Sequence, residues 1–398
     1  MQKVLLLENI HPIAQDLFSQ SGFQVDTLKG ALTEDELVAK LPGYDVLGIR
    51  SKTYLTPKVF EAAKSIATVG CFCVGTNQVD LAAAKTHGTV VFNAPFSNTR
   101  SVAEMVIAEI VMLSRKLGSR NIEMHQGVWN KSSNQCFEVR GKTLGIIGYG
   151  NIGSQVSHLA EALGMRVFFY DVISKLPLGN AKPLSTLDEL LAHSDFVTLH
   201  VPATDATHNM IGENELRKMR EHSYLINASR GDVIDLKALE AAIRSKHLAG
   251  CALDVYPAEP ENNIPDFASP MKGIENVILT PHVGGATEEA QVNIGREVAS
   301  TLIRFMQTGS TLRSVNFPNT DTPLNRQFSR FSNVHRNVVG VLKDINRILS
   351  EYGANIQTQS LHTDSDVGYL VVDLNQPVTD ELVQSIQSLK TSIRTRRI

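Results

Sequence analysis

The run GYGNIG at residues 148–153 constrains this chain more than any other feature, because it matches G-x-G-x-x-G between a strand pattern and a helix pattern. The apolar stretch TLGII precedes it, and a helical pattern over 152–163 follows it. In this context the first glycine permits a tight turn, the second admits a pyrophosphate, and the third lets helix and strand pack closely. The helix N-terminus favours the anion. The run therefore predicts a dinucleotide site that includes Gly148, Gly150, Asn151, Ile152 and Gly153.

An acidic residue ends the next predicted strand. Asp171 lies 18 residues after Gly153, where a carboxylate hydrogen-bonds the adenosine ribose. A carboxylate there also repels a 2′-phosphate by about 4 kcal/mol, taking a separation of ~4 Å and an effective dielectric constant of ~20. No arginine closely follows Asp171 to offset this repulsion. The sequence therefore favours NAD over NADP as the cofactor.

Strand and helix patterns alternate along most of the chain. One series begins at Lys3–Leu7, a second begins at Thr143, and a long helix is predicted over Glu288–Met306. Alternation of this kind indicates parallel sheets with helices on both faces. The helix over 288–306 is long enough to return from the second series to the first, so we expect a discontinuous first domain. A helix-like stretch with few breaks is predicted over about 101–118.

The composition changes near the C-terminus. Residues 316–323 read NFPNTDTP, which is typical of a linker. The remaining patterns follow the order βαββαβ of a ferredoxin-like module. The predicted fold class is α/β, with two doubly wound parallel-sheet domains (one flavodoxin-like, one Rossmann) and this C-terminal module. The expected bounds are 1–97 with 287–317 for the first domain, 98–286 for the second, 318–326 for the linker and 327–398 for the third.

Charge and composition exclude several classes of protein. Lys and Arg number 38 and Asp and Glu 41, a net charge of −3, so nothing indicates nucleic acid or a charged membrane surface as a partner. No stretch approaches the ~20 apolar residues of a membrane span, and the apolar run Val4–Leu7 is too short for a signal peptide. The four cysteines fit neither a disulfide framework nor a zinc site. We expect a cytoplasmic protein that uses no metal.

Three polar runs follow predicted parallel strands, at the edge where open α/β sheets bind ligands. They contain Arg230, Glu259 and His282. Hydride transfer at a 2-hydroxy or 2-keto acid needs an imidazole to move the proton and a guanidinium to bind the carboxylate. A carboxylate that orients the imidazole and stabilises its cation completes the set. A lone Arg or His is usually a solvated charge or a structural group, but three such residues at strand ends favour catalysis.

The motifs INASRG and LTPHVGG, with Glu259 between them, resemble those of the D-2-hydroxyacid dehydrogenase family, and the resemblance covers residues 1–317. It implies that Arg230, Glu259 and His282 are catalytic and that NAD is the cofactor. It also implies an NAD site lined from several strand ends. Its residues are Asn151, Ile152, Asp171, Pro202, Ala228, Ser229, Arg230, Asp254, His282, Val283, Gly284 and Gly285.

Two further runs, GCFCVGTNQVD at 70–80 and VFNAPFSNTRSVAE at 91–104, resemble the phosphoglycerate dehydrogenase branch of that family. This branch implies oxidation of 3-phospho-D-glycerate to 3-phosphohydroxypyruvate in L-serine biosynthesis, with 2-oxoglutarate reduction as a second activity. Lys52 stands where the family more often has arginine. Its ammonium group lacks the paired N–H donors with which a guanidinium binds a phosphate. Isolated surface charge is the alternative for Lys52 and Lys131. The expected substrate residues are Arg50, Ser51, Lys52, Gly75, Asn98, Arg100 and Lys131.

The C-terminal module resembles an ACT domain. The resemblance implies that L-serine binds between two paired modules at His335, Asn337 and Asn355, and that it inhibits the enzyme. The turn at 338–340 reads VVG where Arg-Pro-Gly is usual. Edge strands of such a module are free to pair with a second copy. Trp129 either provides a second contact or caps its own domain, and two kinds of two-fold contact would close a homotetramer.

Two other functions remain open from the sequence. One is a different D-2-hydroxyacid specificity, and the other is a non-enzymatic NAD-sensing protein of the same fold. Relatives of the second kind do not carry the ACT-like tail, so the tail favours an enzyme.

Overall fold

The computed structural model describes residues 1–260 and 264–398, which form two compact units. Unit 1 contains Met1–Ser97 and Gln291–Ile398, and unit 2 contains Asn98–Ala290. Unit 1 is therefore built from two separate stretches of sequence, while the finer domain bounds stay a prediction. No helix in the described ranges is both long and apolar enough to cross a membrane.

Short strands and helices alternate in the first stretch of unit 1. They are β1 (Lys3–Leu6), α1 (Pro12–Gln20), β2 (Gln24–Thr27), α2 (Glu34–Lys40), β3 (Val46–Ile49), α3 (Pro57–Ala62), β4 (Thr68–Cys71), α4 (Leu81–Thr86) and β5 (Val90–Phe92). The strands form one parallel sheet in the order β2-β1-β3-β4-β5. Separate apolar clusters cover its two faces, so β3 and β4 are buried at every residue, as parallel strands usually are.

Unit 2 contains the second alternating series. Its elements are α5 (Thr99–Arg115), α6 (Leu117–His125), β6 (Thr143–Ile147), α7 (Asn151–Ala162), β7 (Arg166–Tyr170), β8 (Lys182–Pro183), α8 (Leu187–His193), β9 (Phe196–Leu199), α9 (Glu213–Lys218), β10 (Tyr224–Asn227), α10 (Leu236–Arg244), β11 (Gly250–Leu253) and β12 (Val277–Leu279). The parallel sheet has the order β12-β11-β10-β9-β6-β7-β8. The order reverses beside β6, and ligands of open α/β sheets bind at the carboxyl edge of such a switch point.

The helix-like stretch predicted over 101–118 is helical with one break. Lys116 has a φ of 52°, so α5 ends at Arg115 and α6 begins at Leu117. A left-handed residue stops helical hydrogen bonding. The sequence also gives no signal for β8, because two residues are too few to show a periodic pattern.

The C-terminal part of unit 1 follows helix α11 (Glu288–Thr308) and has the predicted order βαββαβ. Its elements are β13 (Ser329–Arg336), α12 (Val341–Glu351), β14 (Ile356–Thr363), β15 (Val367–Leu374), α13 (Asp380–Gln387) and β16 (Ser392–Arg397). The strands form an antiparallel sheet in the order β14-β15-β13-β16. Helices α12 and α13 cover one face of this sheet. The other face, with Val334 and Tyr369, packs on Phe305 and Phe317, so the sheet shares a core with the rest of unit 1.

Candidate active site

The glycine-rich turn lies between β6 and α7. Gly148 has a φ of 90°, and a Cβ there would lie 2.4 Å from the carbonyl oxygen of His200. A Cβ on Gly153 would lie 2.2 Å from the Gly148 carbonyl oxygen. Gly150 differs, since its Cβ would meet no atom within 4 Å, and it immediately precedes α7. The N–H groups at the start of α7 are therefore open to an anion such as a pyrophosphate.

Asp171 directly follows β7 and is anchored beside this turn. Its Oδ2 accepts a hydrogen bond from the Tyr149 N–H at 2.9 Å, and its Oδ1 accepts one from the Ile173 N–H at 2.9 Å. The carboxylate is thus fixed next to the open helix N-terminus. A pyrophosphate cradle with an acid beside it fits a dinucleotide that has free ribose hydroxyls.

An imidazole–carboxylate pair lies beyond the ends of β11 and β12. His282 Nδ1 is 2.6 Å from Glu259 Oε2, and Glu259 Oε1 accepts a hydrogen bond from the Tyr256 N–H at 3.0 Å. The hydrogen bond with Glu259 raises the pKa of His282, although burial opposes it. Burial alone would raise the pKa of Glu259, but the hydrogen bonds from His282 and Tyr256 hold it below its ordinary value. Both directions favour the charged pair.

Asp254 organises the loop that carries His282. Its carboxylate accepts three hydrogen bonds from that loop, from Thr280 Oγ1 at 2.6 Å and from the N–H groups of Val283 and Gly284 at 2.8 Å each. Its carbonyl accepts from the His282 N–H at 2.8 Å. His282 has a φ of 53°, a left-handed conformation that costs energy in a residue other than glycine. The bonds to Asp254 hold this strained residue in place.

Arg230 follows β10 in a turn that Asn227 shapes. Asn227 Oδ1 accepts from the N–H and hydroxyl of Ser229, and its Nδ2 donates to the Arg230 carbonyl at 2.9 Å. The hydrogen bond between Glu259 and His282, together with burial, has the larger effect on the pKa of each group. The Arg230 charge makes a smaller contribution, which lowers the pKa of Glu259 further and offsets part of the rise in the pKa of His282. The structure thus brings the three predicted catalytic residues together in unit 2. The predicted NAD-site residues Pro202 and Ala228 follow β9 and β10 in the same sheet.

In unit 1, a buried carboxylate shapes the loop after β3. Glu8 accepts hydrogen bonds from the N–H groups of Arg50 at 3.0 Å and Lys52 at 2.9 Å. Gln78 Nε2 donates to the carbonyls of Arg50 at 2.6 Å and Gly75 at 3.4 Å. The carboxyl edge of β3 and β4 therefore gathers four of the predicted substrate residues. They are Arg50, Ser51, Lys52 and Gly75.

The other substrate candidates belong to unit 2 and have different surroundings. Asn98 precedes α5 and packs on Gly285, where a Cβ would lie 2.5 Å from Asn98 Nδ2. Arg100 is exposed and pairs with Glu104 one helical turn away at 2.6 Å. Lys131 is exposed in the loop after α6. Asn98 thus lies beside the His282 loop, whereas Arg100 and Lys131 have the surroundings of solvated surface charges.

The predicted effector residues occupy two ends of the C-terminal sheet. His335 is only 2 % exposed and its Nδ1 lies 3.0 Å from Asn333 Oδ1, and burial lowers its pKa. Asn337 donates to a carbonyl of the β14–β15 loop at 2.6 Å. Asn355 precedes β14, at the end of that strand away from this loop. One copy of the chain therefore does not bring Asn355 to the other two.

Trp129 has 80 % of its side chain exposed. The interpretation in which it caps the core of its own domain is therefore wrong. An exposed indole on a polar loop has the character of an interface anchor.

Sequence reasoning does not find three residues that shape these sites. Glu8 binds backbone groups far along the chain, which no local pattern reveals, and Asn227 lies in the INASRG motif, although its role in shaping the turn is visible only in the structure. Glu109 on α5 is 3 % exposed, and its Oε1 has no hydrogen-bond partner among the described residues. Its signal in the sequence is a carboxylate within the apolar stripe of α5, which ordinarily marks a core face.

Two family models match the chain. The model for the D-isomer specific 2-hydroxyacid dehydrogenase NAD binding domain matches residues 107–284. The model for the AHAS small subunit-like ACT domain matches residues 331–394. The first match covers the glycine-rich turn and the His282 loop, and the second covers most of the antiparallel sheet.

Curated relatives match almost the full length. The D-3-phosphoglycerate dehydrogenase of Dictyostelium discoideum is 50% identical over 394 residues, covering 99% of this chain and 96% of its own. That of Escherichia coli K12 is 48% identical over 397 residues, covering 99% of this chain and 97% of its own. Among solved structures, a D-lactate dehydrogenase from Aquifex aeolicus complexed with NAD and lactic acid gives a TM-score of 0.68 at 27% identity, over 79% of this chain and 100% of its own.

Proposed function

This chain belongs to the D-3-phosphoglycerate dehydrogenase family and is an NAD-dependent dehydrogenase, and from that premise we propose that it oxidises 3-phospho-D-glycerate to 3-phosphohydroxypyruvate in L-serine biosynthesis. The observation that carries the proposal is the Glu259–His282 hydrogen bond of 2.6 Å beyond the strand ends of the NAD-binding sheet. Family membership as a dehydrogenase sets aside the non-enzymatic alternative.

In this proposal the protein's own residues handle the proton and the substrate carboxylate. NAD, when bound, accepts the hydride from the carbon that bears the hydroxyl. Because Nδ1 of His282 is hydrogen-bonded to Glu259, Nε2 of His282 is the nitrogen that takes the proton of the substrate hydroxyl. The carboxylate of Glu259 stabilises the imidazolium that forms. Arg230 binds the substrate carboxylate and polarises the adjoining oxygen.

We assign the substrate phosphate to the loop after β3. Arg50 and Lys52 supply cations there, and Glu8 and Gln78 hold the backbone of the loop. The same cations would accept the distal carboxylate of 2-oxoglutarate, so we propose its reduction as a second activity. The corresponding domain roles are substrate binding for 1–97 with 287–317, NAD binding for 98–286 and regulation for 327–398.

The test compares NADH consumption with phosphohydroxypyruvate, 2-oxoglutarate and pyruvate. We expect the highest kcat/KM with phosphohydroxypyruvate. Arg50→Gln and Lys52→Gln should lower kcat/KM for the two substrates with a distal anion by about tenfold or more, since a hydrogen bond to a charged group contributes ~1.5–3 kcal/mol. Pyruvate, which lacks that anion, should be unaffected, and Lys29→Gln, at an exposed site of the same unit, is the matched control. Preference for pyruvate in the unmodified enzyme would contradict the assignment.

We further propose that L-serine binds the C-terminal sheet and inhibits. Strand β14 is an edge of that sheet, and antiparallel pairing of β14 with its copy would set Asn337 of one chain beside Asn355 of the other. Asparagine offers both donors and acceptors to a ligand with an ammonium and a carboxylate. Burial of His335 excludes it from direct contact in a single chain, so the two asparagines are the residues to test.

The serine test uses point variants of the full chain. The C-terminal sheet covers Phe305 and Phe317, so truncation would expose apolar core and confuse instability with insensitivity. Asn337→Ala and Asn355→Ala should each weaken inhibition by serine, while Gln384→Ala, at an exposed position on α13 of the same module, should not. Undiminished inhibition in both site variants would remove these residues from the effector site.

We propose a homotetramer held by two contacts, the β14 edge and a surface around Trp129. Two distinct two-fold contacts on one chain close into a tetramer. Light scattering should give a tetramer for the unmodified chain and a dimer for Trp129→Ala. A tetramer that survives this substitution would exclude Trp129 as the anchor.

A further inference from the structure

A cavity of about 1090 Å³ lies inside unit 1, between the region of α4 and the strand β16. None of the predicted NAD-binding residues lines it, whereas Arg336 and Asp366, at its rim, lie beside Asn337, whose N–H donates to the Asp366 carbonyl at 2.9 Å. Six cationic side chains line it, whereas Asp366 is its one acidic lining residue among those described. The cations are Lys64, Lys85, Arg336, Lys390, Arg394 and Arg396.

Two of these cations extend from β16 against the rest of unit 1 and are half-buried. Arg394 donates to the carbonyls of Lys64 at 2.9 Å and His87 at 3.1 Å. Arg396 donates to the Met306 carbonyl at 3.2 Å and lies over the Phe305 ring at 4.5 Å. Burial, and then the neighbouring Arg396 charge, lower the pKa of Arg394 to about 10. Removal of two like charges from water is costly unless other groups compensate them.

Neutral carbonyls are the hydrogen-bond partners of these two arginines, and no carboxylate among the described residues lies within ion-pair distance of either. Lys64, Arg336 and Lys390 likewise form no ion pair within the described chain. Lys85 differs, because it pairs with Asp364 at 2.9 Å and Asp366 at 3.3 Å. The carbonyl contacts explain how β16 docks on unit 1. The charge of Asp45 acts on both arginines without an ion-pair contact, so the described lining keeps an excess of positive charge over the single Asp366.

We propose that this cavity binds a small polyanion, a phosphorylated or polycarboxylate metabolite, at a site that borders Asn337 but is lined by none of the predicted catalytic, NAD, substrate or effector residues. Its volume is close to the upper end of the ~300–1,000 Å³ typical of sites for small organic ligands. Guanidinium groups bind phosphate and carboxylate oxygens through paired N–H donors. The polyanion balances this excess of positive charge and bridges the C-terminal sheet to the α4 region.

The experiment is calorimetric titration of the full chain, saturated with NADH, with inorganic pyrophosphate and separately with citrate at constant ionic strength. The double variant Arg336→Gln/Lys390→Gln changes two exposed cations at the cavity. It should weaken binding about tenfold or more. Lys343→Gln, an exposed lysine on α12, is the matched control. Arg50→Gln is titrated as well, because a loss of binding in this variant would show that the probe binds at the substrate site. Arg394→Gln, checked for folding by circular dichroism, tests the half-buried cation directly.

Each outcome decides the proposal. Weaker binding in the double variant, with normal binding in Lys343→Gln and Arg50→Gln, supports it, and the better of the two ligands identifies the preferred oxyanion. Equal affinity in the unmodified chain and the double variant would overturn it. So would loss of binding in Arg50→Gln alone, normal affinity in a folded Arg394→Gln, or absence of binding by both probes.

Discussion

Glu109 should make the stability of the protein depend on pH. It lies on α5 with 3 % of its side chain exposed, and its Oε1 has no hydrogen-bond partner in the described chain. Burial, and then the charge of Asp254, raise the pKa of Glu109 to about 8 from an ordinary value of 4.5. The carboxyl is therefore neutral in the folded protein at pH 6, whereas the unfolded chain carries it ionised.

The sign follows from this difference in proton binding. Because the folded pKa lies above the unfolded one, the neutral carboxyl contributes its full stability below about pH 4.5, and this contribution falls until about pH 8. At about 1.4 kcal/mol per pH unit, the ceiling on the loss is on the order of 5 kcal/mol, and water entry would reduce it to a few kcal/mol. Glu109→Gln keeps the size and stays neutral, so it should remove this part of the pH dependence.

The assay is urea denaturation followed by circular dichroism between pH 5 and pH 9. The Glu109→Gln variant should gain stability over the unmodified chain as pH rises, by a few kcal/mol at pH 9. Glu104→Gln changes an exposed carboxylate on the same helix and is the matched control. If the curves of Glu109→Gln and the unmodified chain run parallel across the range, Glu109 is not a buried neutral acid.

Three more substitutions test particular contacts. Asp171→Ser should narrow the preference for NAD over NADP, because it removes a repulsion of about 4 kcal/mol; an unchanged ratio of kcat/KM for the two cofactors would assign the preference elsewhere. Arg330→Met leaves Asp373, its buried partner at 2.7 Å, without a counter-charge, so urea denaturation should show a loss of about 3–5 kcal/mol; a double variant with Asp373→Leu should recover only part of it, because Arg330 also donates to three backbone carbonyls. Glu259→Gln removes the bond that raises the pKa of His282. Since keto-acid reduction uses the imidazolium, its rate should then fall at lower pH than in the unmodified enzyme, and an unmoved profile would contradict the contact.

The sequence predicts those parts of the molecule that rest on local pattern. The βαββαβ order and the parallel sheets follow from strand and helix periodicity, and the turn at 148–153 follows from glycine spacing. Arg230, Glu259 and His282 could be grouped because each follows a strand of one parallel sheet. The helix break at Lys116 was not predictable from propensity, since lysine seldom adopts a positive φ and nothing marks this one as an exception.

The features that could not be predicted from the sequence depend on contacts between residues that are far apart along the chain. Glu8 binds the N–H groups of residues 50 and 52, more than 40 positions away, so its spacing carries no signal. The docking of β16 depends on which face of the C-terminal sheet is left uncovered by helices α12 and α13, and strand periodicity alone does not identify that face. Arginines at alternate positions of an edge strand usually indicate solvent, yet Arg394 and Arg396 lie against the interior of unit 1.

The central claim is that His282 transfers the proton during oxidation and reduction of the substrate. The most direct measurement is the turnover of His282→Ala with NADH and saturating phosphohydroxypyruvate, together with NADH affinity from fluorescence titration. We expect kcat to fall by about 10²–10⁴, the range for loss of a general acid–base group, while NADH affinity stays nearly constant. Turnover close to that of the unmodified enzyme would contradict the claim and remove His282 from the mechanism.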